Sequence, residues 1–264
     1  MVSEVQVISE ALRSAVRRLT EGKDMAVAFS GGLDSGIVAA LTMEYARSVS
    51  LYTVGYGESY DVRMAREMAS DLRTETNIIP LTEDNMVGIL DEMISVTGTS
   101  SPLTLAFETP PFMVCRYSIE NILIGGQGAD ELFAGYSKYL GLGKEELQKM
   151  RAGDIAKLTG PTLDHERKVA DHFGKTVLYP FLDEEVVNAV NSLGIDAIMP
   201  RDGRRKGILK DVAEELGYPF IADKEKKAAQ YGSGMMDVIR SICKKRNIRY
   251  SELVEELCMK RGIQ

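Results

Sequence analysis

The chain is short of cysteine, histidine, long apolar runs and positive charge, and each shortage closes a class of function. Cys115, Cys243 and Cys258 are its three cysteines among 264 residues, widely spaced and without a Cys-x-x-Cys pair. A sparse, odd set fits a reducing compartment and argues against a structural zinc site. His165 and His172 lie seven apart on a polar segment and read as surface residues on one helix face rather than as metal ligands. No apolar stretch approaches the roughly eighteen residues that a membrane span needs. The segment Met1–Gly22 is amphipathic and too acidic for a signal or transit peptide. A cytoplasmic protein with no membrane partner is therefore expected. Lys and Arg number 32 against 39 Asp and Glu, a net charge of −7, which argues against a dominant nucleic-acid partner. Two basic clusters stand out locally: Arg201, Arg204, Arg205, Lys206 and Lys210, then Lys224, Lys226 and Lys227. Solvated faces are the default reading for such clusters.

What is present is ordinary globular material, 44% apolar and 27% charged, with clear periodicity. Val5, Ile8, Leu12, Val16 and Leu19 predict a helix over 4–20. The apolar run 25–29 predicts a buried strand, followed by a helix over 36–47, a strand over 50–55 and a helix over 60–72. A strand over 77–80, a helix over 83–97, a helix over 111–119 and a strand over 121–124 complete the series. This alternation implies a parallel sheet with helices on both faces. Beyond Tyr136 the strand signals fade, and helices are expected over 144–150, 162–173, 183–192, 204–216, 234–246 and 251–261. The expected organisation is an α/β domain over 1–140 and a helical subdomain over 141–264 that completes the active site. Apolar stripes in the tail, such as Leu253, Val254 and Leu257, suit core or homodimer contact.

Two glycine-rich strings carry the chemistry. Ser30-Gly31-Gly32-Leu33-Asp34-Ser35 lies between a predicted strand and a predicted helix. Adjacent glycines let backbone N–H groups approach an anion, and the helix behind adds its positive end. Ser30 and Ser35 offer hydroxyls to phosphate, whereas Asp34 requires a cation between itself and phosphate, which suits magnesium. Gly125-Gly126-Gln127-Gly128-Ala129-Asp130-Glu131-Leu132 follows the fourth predicted strand, again at a carboxyl end where doubly wound folds bind ligands. Asp130 and Glu131 are a second pair of carboxylates available to magnesium. The GxxxxGK[ST] phosphate loop is absent.

The first string resembles the SGGxDS signature of the ATP pyrophosphatase (PP-loop) superfamily, which cleaves ATP between the α- and β-phosphates. The second resembles the GEGADELFGGY segment of asparagine synthetases and β-lactam synthetases. Pro180-Phe181-Leu182-Asp183 with Lys206-Gly207-Ile208-Leu209-Lys210 is similar to that family's PFLD and KxxLR pair. Lys226 stands six residues before Gly232-Ser233-Gly234, again as in the family. The resemblance covers about residues 5–235 and implies a doubly wound, parallel five-stranded sheet of adenine nucleotide α-hydrolase type with a helical lobe. It implies that Ser30, Gly31, Gly32, Asp34 and Ser35 hold pyrophosphate and magnesium. Leu33 and Val54 would line the adenine pocket, and Gly125, Gly126 and Gln127 would face the ribose and α-phosphate side. Asp130 would complete the magnesium site with Asp34, and Lys206 and Lys226 would be the catalytic cations, with the solvated-face reading kept for Arg201, Arg204, Arg205 and Lys224.

Three departures qualify the expected substrate. The chain reaches the first strand by residue 25, so a glutaminase domain ahead of it is not expected; ammonia would come from solution or from a separate glutaminase subunit. Gln127 stands where the family carries a glutamate, and glutamine cannot act as a base. Thr176-Val177-Leu178-Tyr179 replaces an arginine and a glutamate before PFLD, which weakens the case for aspartate. Glu108, in a segment read as a loop over 105–111, is a further candidate for acceptor recognition. The expected function is an ATP-dependent ligase that adenylates a small-molecule carboxylate for attack by ammonia or an amine. Activation of a tRNA base or carrier protein, and a non-catalytic nucleotide-binding subunit, are the alternatives.

Overall fold

The computed structural model describes residues 3–200, 203–224 and 229–263. Helix α1 (Glu4–Thr20) starts from a capping box: the Gln6 amide donates to the Ser3 hydroxyl at 3.1 Å, and the Ser3 amide to the Gln6 side chain at 3.0 Å. Strand β1 (Asp24–Ala28), α2 (Leu33–Tyr45), β2 (Ser48–Gly55), α3 (Tyr60–Asp71), β3 (Thr76–Pro80) and α4 (Glu83–Thr97) come next in alternation. Helix α5 (Pro102–Tyr117), β4 (Ile122–Ile124) and the short α6 (Ala129–Leu132) close the first half. The second half contains α7 (Lys144–Lys157), α8 (Leu163–His172), β5 (Thr176–Leu178), α9 (Glu184–Ser192) and α10 (Ile195–Ile198). It ends with α11 (Gly207–Glu215), α12 (Pro219–Ala222), α13 (Ala229–Gly232), α14 (Met235–Arg246) and α15 (Tyr250–Arg261).

The five strands form one parallel sheet in the order β3-β2-β1-β4-β5. Both faces are covered, so β1 is apolar at every central position. Met25 and Val27 enter a core shared with α1, α2, α9 and α11, while Ala26 enters a second core shared with α4, α5, α14 and α15. The chain winds outward from β1 to β3 and restarts at β4 on the other flank. The order therefore reverses between β1 and β4, the switch point at whose carboxyl ends doubly wound folds bind ligands. Among the described residues no helix is long and apolar enough to cross a membrane.

Two of the elements that differ from the sequence pattern bear on the site. The fifth strand, Thr176–Leu178, lies in the half where strand signals fade. It is a three-residue, half-buried edge strand, so there is no apolar run to read. Backbone pairing recruits it: the Thr176 amide donates to the Asn121 carbonyl at 2.8 Å, and the Gly125 amide to the Leu178 carbonyl at 3.1 Å. The segment 105–111 is not a loop. Helix α5 starts at Pro102, where a missing N–H costs nothing, and continues through Pro110 and Pro111. Leu105, Phe112 and Met113 are fully or almost fully buried on it, and this packing outweighs the donors the two prolines lack.

Candidate active site

The first glycine-rich turn joins β1 to α2. Gly31 has φ +71°, and a Cβ there would lie 2.4 Å from the Met64 carbonyl carbon, so α3 packs directly on the turn. Gly32 is the N-cap of α2 and gives its first turn no side-chain cap. The amides of that turn are thus available to an anion. The Ser35 hydroxyl accepts from the Ser30 amide at 3.2 Å and lies 3.2 Å from the Ser30 hydroxyl, which closes the turn. Leu33 is buried at the start of α2, and Val54 is buried near the end of β2.

The second turn lies against the first. A Cβ on Gly126 would lie 3.0 Å from the Asp34 Cβ and 3.2 Å from the Ser35 amide nitrogen. Gly125 is tied to β5, and Gly128, at φ +93°, is closed over by Leu182. Lys206 joins the two turns: its Nζ lies 2.7 Å from both carboxylate oxygens of Asp34 and 2.7 Å from Asp130 Oδ1. Asp34 is 3% and Lys206 7% exposed, so the contact is strong and costly to break. Lys206 and Ala134 adopt left-handed backbone conformations with φ +54° and +50°, a costly choice for residues with a Cβ. Gly135 makes the contact sterically feasible, because a Cβ there would lie 2.1 Å from both Asp130 Oδ1 and Lys206 Cε. Two carboxylates focused on one cationic position form a donor set that fits magnesium, whose remaining ligands would be phosphate and water. Among the described residues no group of three or more His, Cys, Asp or Glu side chains could hold a metal.

Several expectations change. Glu131 does not join Asp34 and Asp130 on Lys206: it is buried, receives the Tyr136 hydroxyl at 2.6 Å, and burial raises its pKa. Arg205 is not on a solvated face; it donates to the Gly135 carbonyl at 2.9 Å and braces that turn. Lys224 is largely buried and pairs with Glu67 and Asp71 of α3, whereas Arg204 is exposed. Lys226 and Arg201 lie outside the described residues. Gly232-Ser233-Gly234, just after Lys226, packs over the end of β2: the Tyr56 amide donates to the Ser233 carbonyl at 2.9 Å, and Gly232 abuts the Asp61 carboxylate. The PFLD string is held by packing and capping contacts. Phe181 is fully buried edge-on to Phe133, and Asp183 caps α9 while pairing with Arg18 at 2.7 Å.

Beyond Gln127 lies a second polar cluster. The Gln127 amide donates to Glu166 Oε1 at 3.3 Å, and the Tyr179 hydroxyl donates to the other Glu166 oxygen. His165 Nδ1 lies 3.1 Å from both oxygens of Glu108, which is 5% exposed on the inner face of α5. Burial and the Glu166 charge push Glu108 up to about 8, and burial pushes Glu166 up to about 7. Burial lowers the His165 pKa and raises those of Tyr179 and Cys115, the latter to about 12. His165 is thus a half-buried partner of Glu108 rather than a free surface residue. Glu166 and Tyr179 carry no spacing signal that would mark them in the sequence.

The asparagine synthase family model matches residues 7–142 and 140–257. A protein of Methanocaldococcus jannaschii, named as a candidate glutamine-hydrolyzing asparagine synthetase, is 29% identical over 96% of this chain and 54% of its own length. Asparagine synthetase domain-containing protein 1 of Mus musculus is 36% identical over 47% of this chain and 21% of its own. The chain thus spans about half the length of the M. jannaschii relative, and less of the mouse protein. Among solved structures, the U34-tRNA thiolase NcsA of Methanococcus maripaludis is 16% identical, covers 96% of this chain and 80% of that one, and has a TM-score of 0.38. With a family match running along nearly all of its length, the chain belongs to the asparagine synthase family.

Proposed function

We propose that the chain is an ATP-dependent, AMP-forming ligase that adenylates a small-molecule carboxylate for attack by ammonia or an amine. One observation carries this reading: both glycine-rich turns meet at the point where the strand order reverses, with Asp34 and Asp130 converging on Lys206. The uncapped first turn of α2 and the hydroxyls of Ser30 and Ser35 would hold the β- and γ-phosphates. Leu33 and Val54 would flank the adenine, and Gly125 and Gly126 would let the α-phosphate approach the backbone. Asp34 and Asp130 would hold magnesium, which neutralises phosphate charge when bound. Lys206 would stabilise charge developing on the departing pyrophosphate, and Lys226 is proposed as its partner. The acid's carboxylate oxygen attacks the α-phosphorus, pyrophosphate leaves, and the acyl-adenylate then loses AMP to the nitrogen nucleophile. Ammonia from solution or from a separate glutaminase subunit would serve, in the cytoplasm.

Exchange of labelled pyrophosphate into ATP tests this reading, with magnesium and a panel of L-aspartate, L-glutamate, succinate, β-alanine and acetate. Exchange that depends on one acid is the expected result. Nucleotide binding with no exchange for any acid would sink it.

A further inference from the structure

The cluster beyond Gln127 bears on the nitrogen step, and its role there rests on the adenylation chemistry proposed for the two turns. Gln127 sits between Gly126, which touches Asp34 and Ser35 of the phosphate turn, and Gly128, which is closed over by Leu182. A carboxyl group activated between the two turns would therefore lie next to Gln127, and Gln127 holds Glu166. Glu166 and Glu108 are two carboxylates close enough to repel one another. Among the described residues their partners are Gln127, Tyr179 and His165, and no lysine or arginine pairs with either. The nearby lysines are engaged elsewhere: Lys168 with Asp164 at 3.1 Å, and Lys175 with the Ser118 and Glu120 carbonyls. A half-buried carboxylate such as Glu166, held by uncharged donors, repels an anion and favours a cation that brings its own charge. Asp34 and Asp130 show the opposite arrangement, since Lys206 compensates them.

We propose that Glu166, positioned by Gln127 and Tyr179, receives the nitrogen nucleophile as a primary ammonium cation and accepts its proton. Glu108, kept protonated to about pH 8 by burial and the Glu166 charge, forms with His165 a neutral polar wall beside it. The chemistry balances without a further reactant. One proton passes from the ammonium to a Glu166 oxygen, and the freed lone pair attacks the carboxyl carbon of the acyl-adenylate. The C–N bond forms, and the bond between that carbon and the bridging oxygen breaks, its electron pair leaving with AMP. The nitrogen loses its second surplus proton to solvent, and Glu166 later returns its own. This also explains how a glutamine is tolerated at 127: the carboxylate is one hydrogen bond away, on α8.

The test splits the reaction into halves, using the acid that supports exchange and three probe nucleophiles: ammonium chloride, methylamine and hydroxylamine. Hydroxylamine is neutral near pH 7.5 and has no proton to give up before attack. In Glu166→Gln, kcat/KM for ammonium and methylamine should fall about 100-fold, while the hydroxylamine rate should fall less than about fivefold. Pyrophosphate exchange, which precedes the nitrogen step, should persist in that variant. Glu166→Asp should recover part of the ammonium rate. Tyr179→Phe removes one donor to the carboxylate and should move the pH profile for ammonium use upward. Ammonium use by Glu166→Gln at the wild-type rate would overturn the inference alone, as would equal losses with all three nucleophiles. Absence of exchange in the wild-type protein with every acid would overturn the adenylation reading, and this inference with it.

Discussion

The two sides of the candidate site treat their carboxylates in opposite ways. On the phosphate side, Asp34 and Asp130 share the Lys206 ammonium, and the backbone is held in costly left-handed conformations at Ala134 and Lys206 to make that contact. On the acceptor side, Glu108 and Glu166 are held by His165, Tyr179 and Gln127, and burial pushes them up to about 8 and about 7. One side is an ionic clamp whose cationic position suits a polyphosphate. The other is poised to exchange a proton near neutral pH.

The sharpest way to break this contrast is to neutralise the clamp. Asp34→Asn or Asp130→Asn should lower pyrophosphate exchange by about 1000-fold while the circular dichroism spectrum stays native. A loss smaller than about tenfold would mean the clamp is structural only. Gly135→Ala approaches the same contact from the backbone, since its Cβ would fall 2.1 Å from Asp130 Oδ1 and Lys206 Cε. Exchange should drop by roughly 10- to 100-fold through displaced groups. Wild-type kinetics in that variant would show that the Lys206 contact is dispensable.

The acceptor side makes a prediction about stability. Folded Glu108 keeps its proton to about pH 8, whereas its ordinary pKa is 4.5, so the folded state binds the extra proton and stability falls as pH rises between those values. Glu166 on α8 acts in the same direction up to about 7. His165, held low by burial, opposes both below its ordinary 6.5, which leaves about pH 7 to 8 as the clean window for Glu108. Glu108→Gln should flatten the decline there by up to about 1.4 kcal/mol per pH unit, read from urea midpoints across the series. Parallel slopes for the two proteins would show that Glu108 ionises normally. The smallest effect belongs to PFLD: Asp183→Ala removes a cap and an ion pair, should cost about 1 kcal/mol, and should leave exchange unchanged. Loss of exchange in a stably folded Asp183→Ala would return that string to the active site.

The same contrast explains which parts of the site are legible in the sequence. The phosphate side is written in two contiguous strings, each behind a buried strand, where glycine spacing reflects close approaches that arise from local geometry: Gly31 against α3 and Gly126 against α2. The alternation of elements places both strings at the carboxyl edge of a parallel sheet. The acceptor side combines single residues at 108, 127, 165, 166 and 179 from four separate segments, and no spacing connects them. Their meeting depends on the two elements that the pattern does not reveal. Helix α5 carries Glu108 inward despite Pro110 and Pro111, and the short edge strand β5 delivers Tyr179. Glu131 is illegible for a related reason. An acidic pair in a turn looks solvated or metal-binding until Tyr136 is seen to fold back on it.

The most direct test of the central claim tracks an oxygen atom. The acid that supports exchange is prepared with its carboxylate labelled with heavy oxygen and turned over with ATP and ammonium, and both nucleotide and phosphate products are analysed. The account predicts one labelled oxygen in the phosphate of AMP, with unlabelled pyrophosphate, because the carboxylate attacks the α-phosphorus and the carbon–oxygen bond breaks in the nitrogen step. Label in inorganic phosphate, with ADP as the nucleotide product, would contradict it.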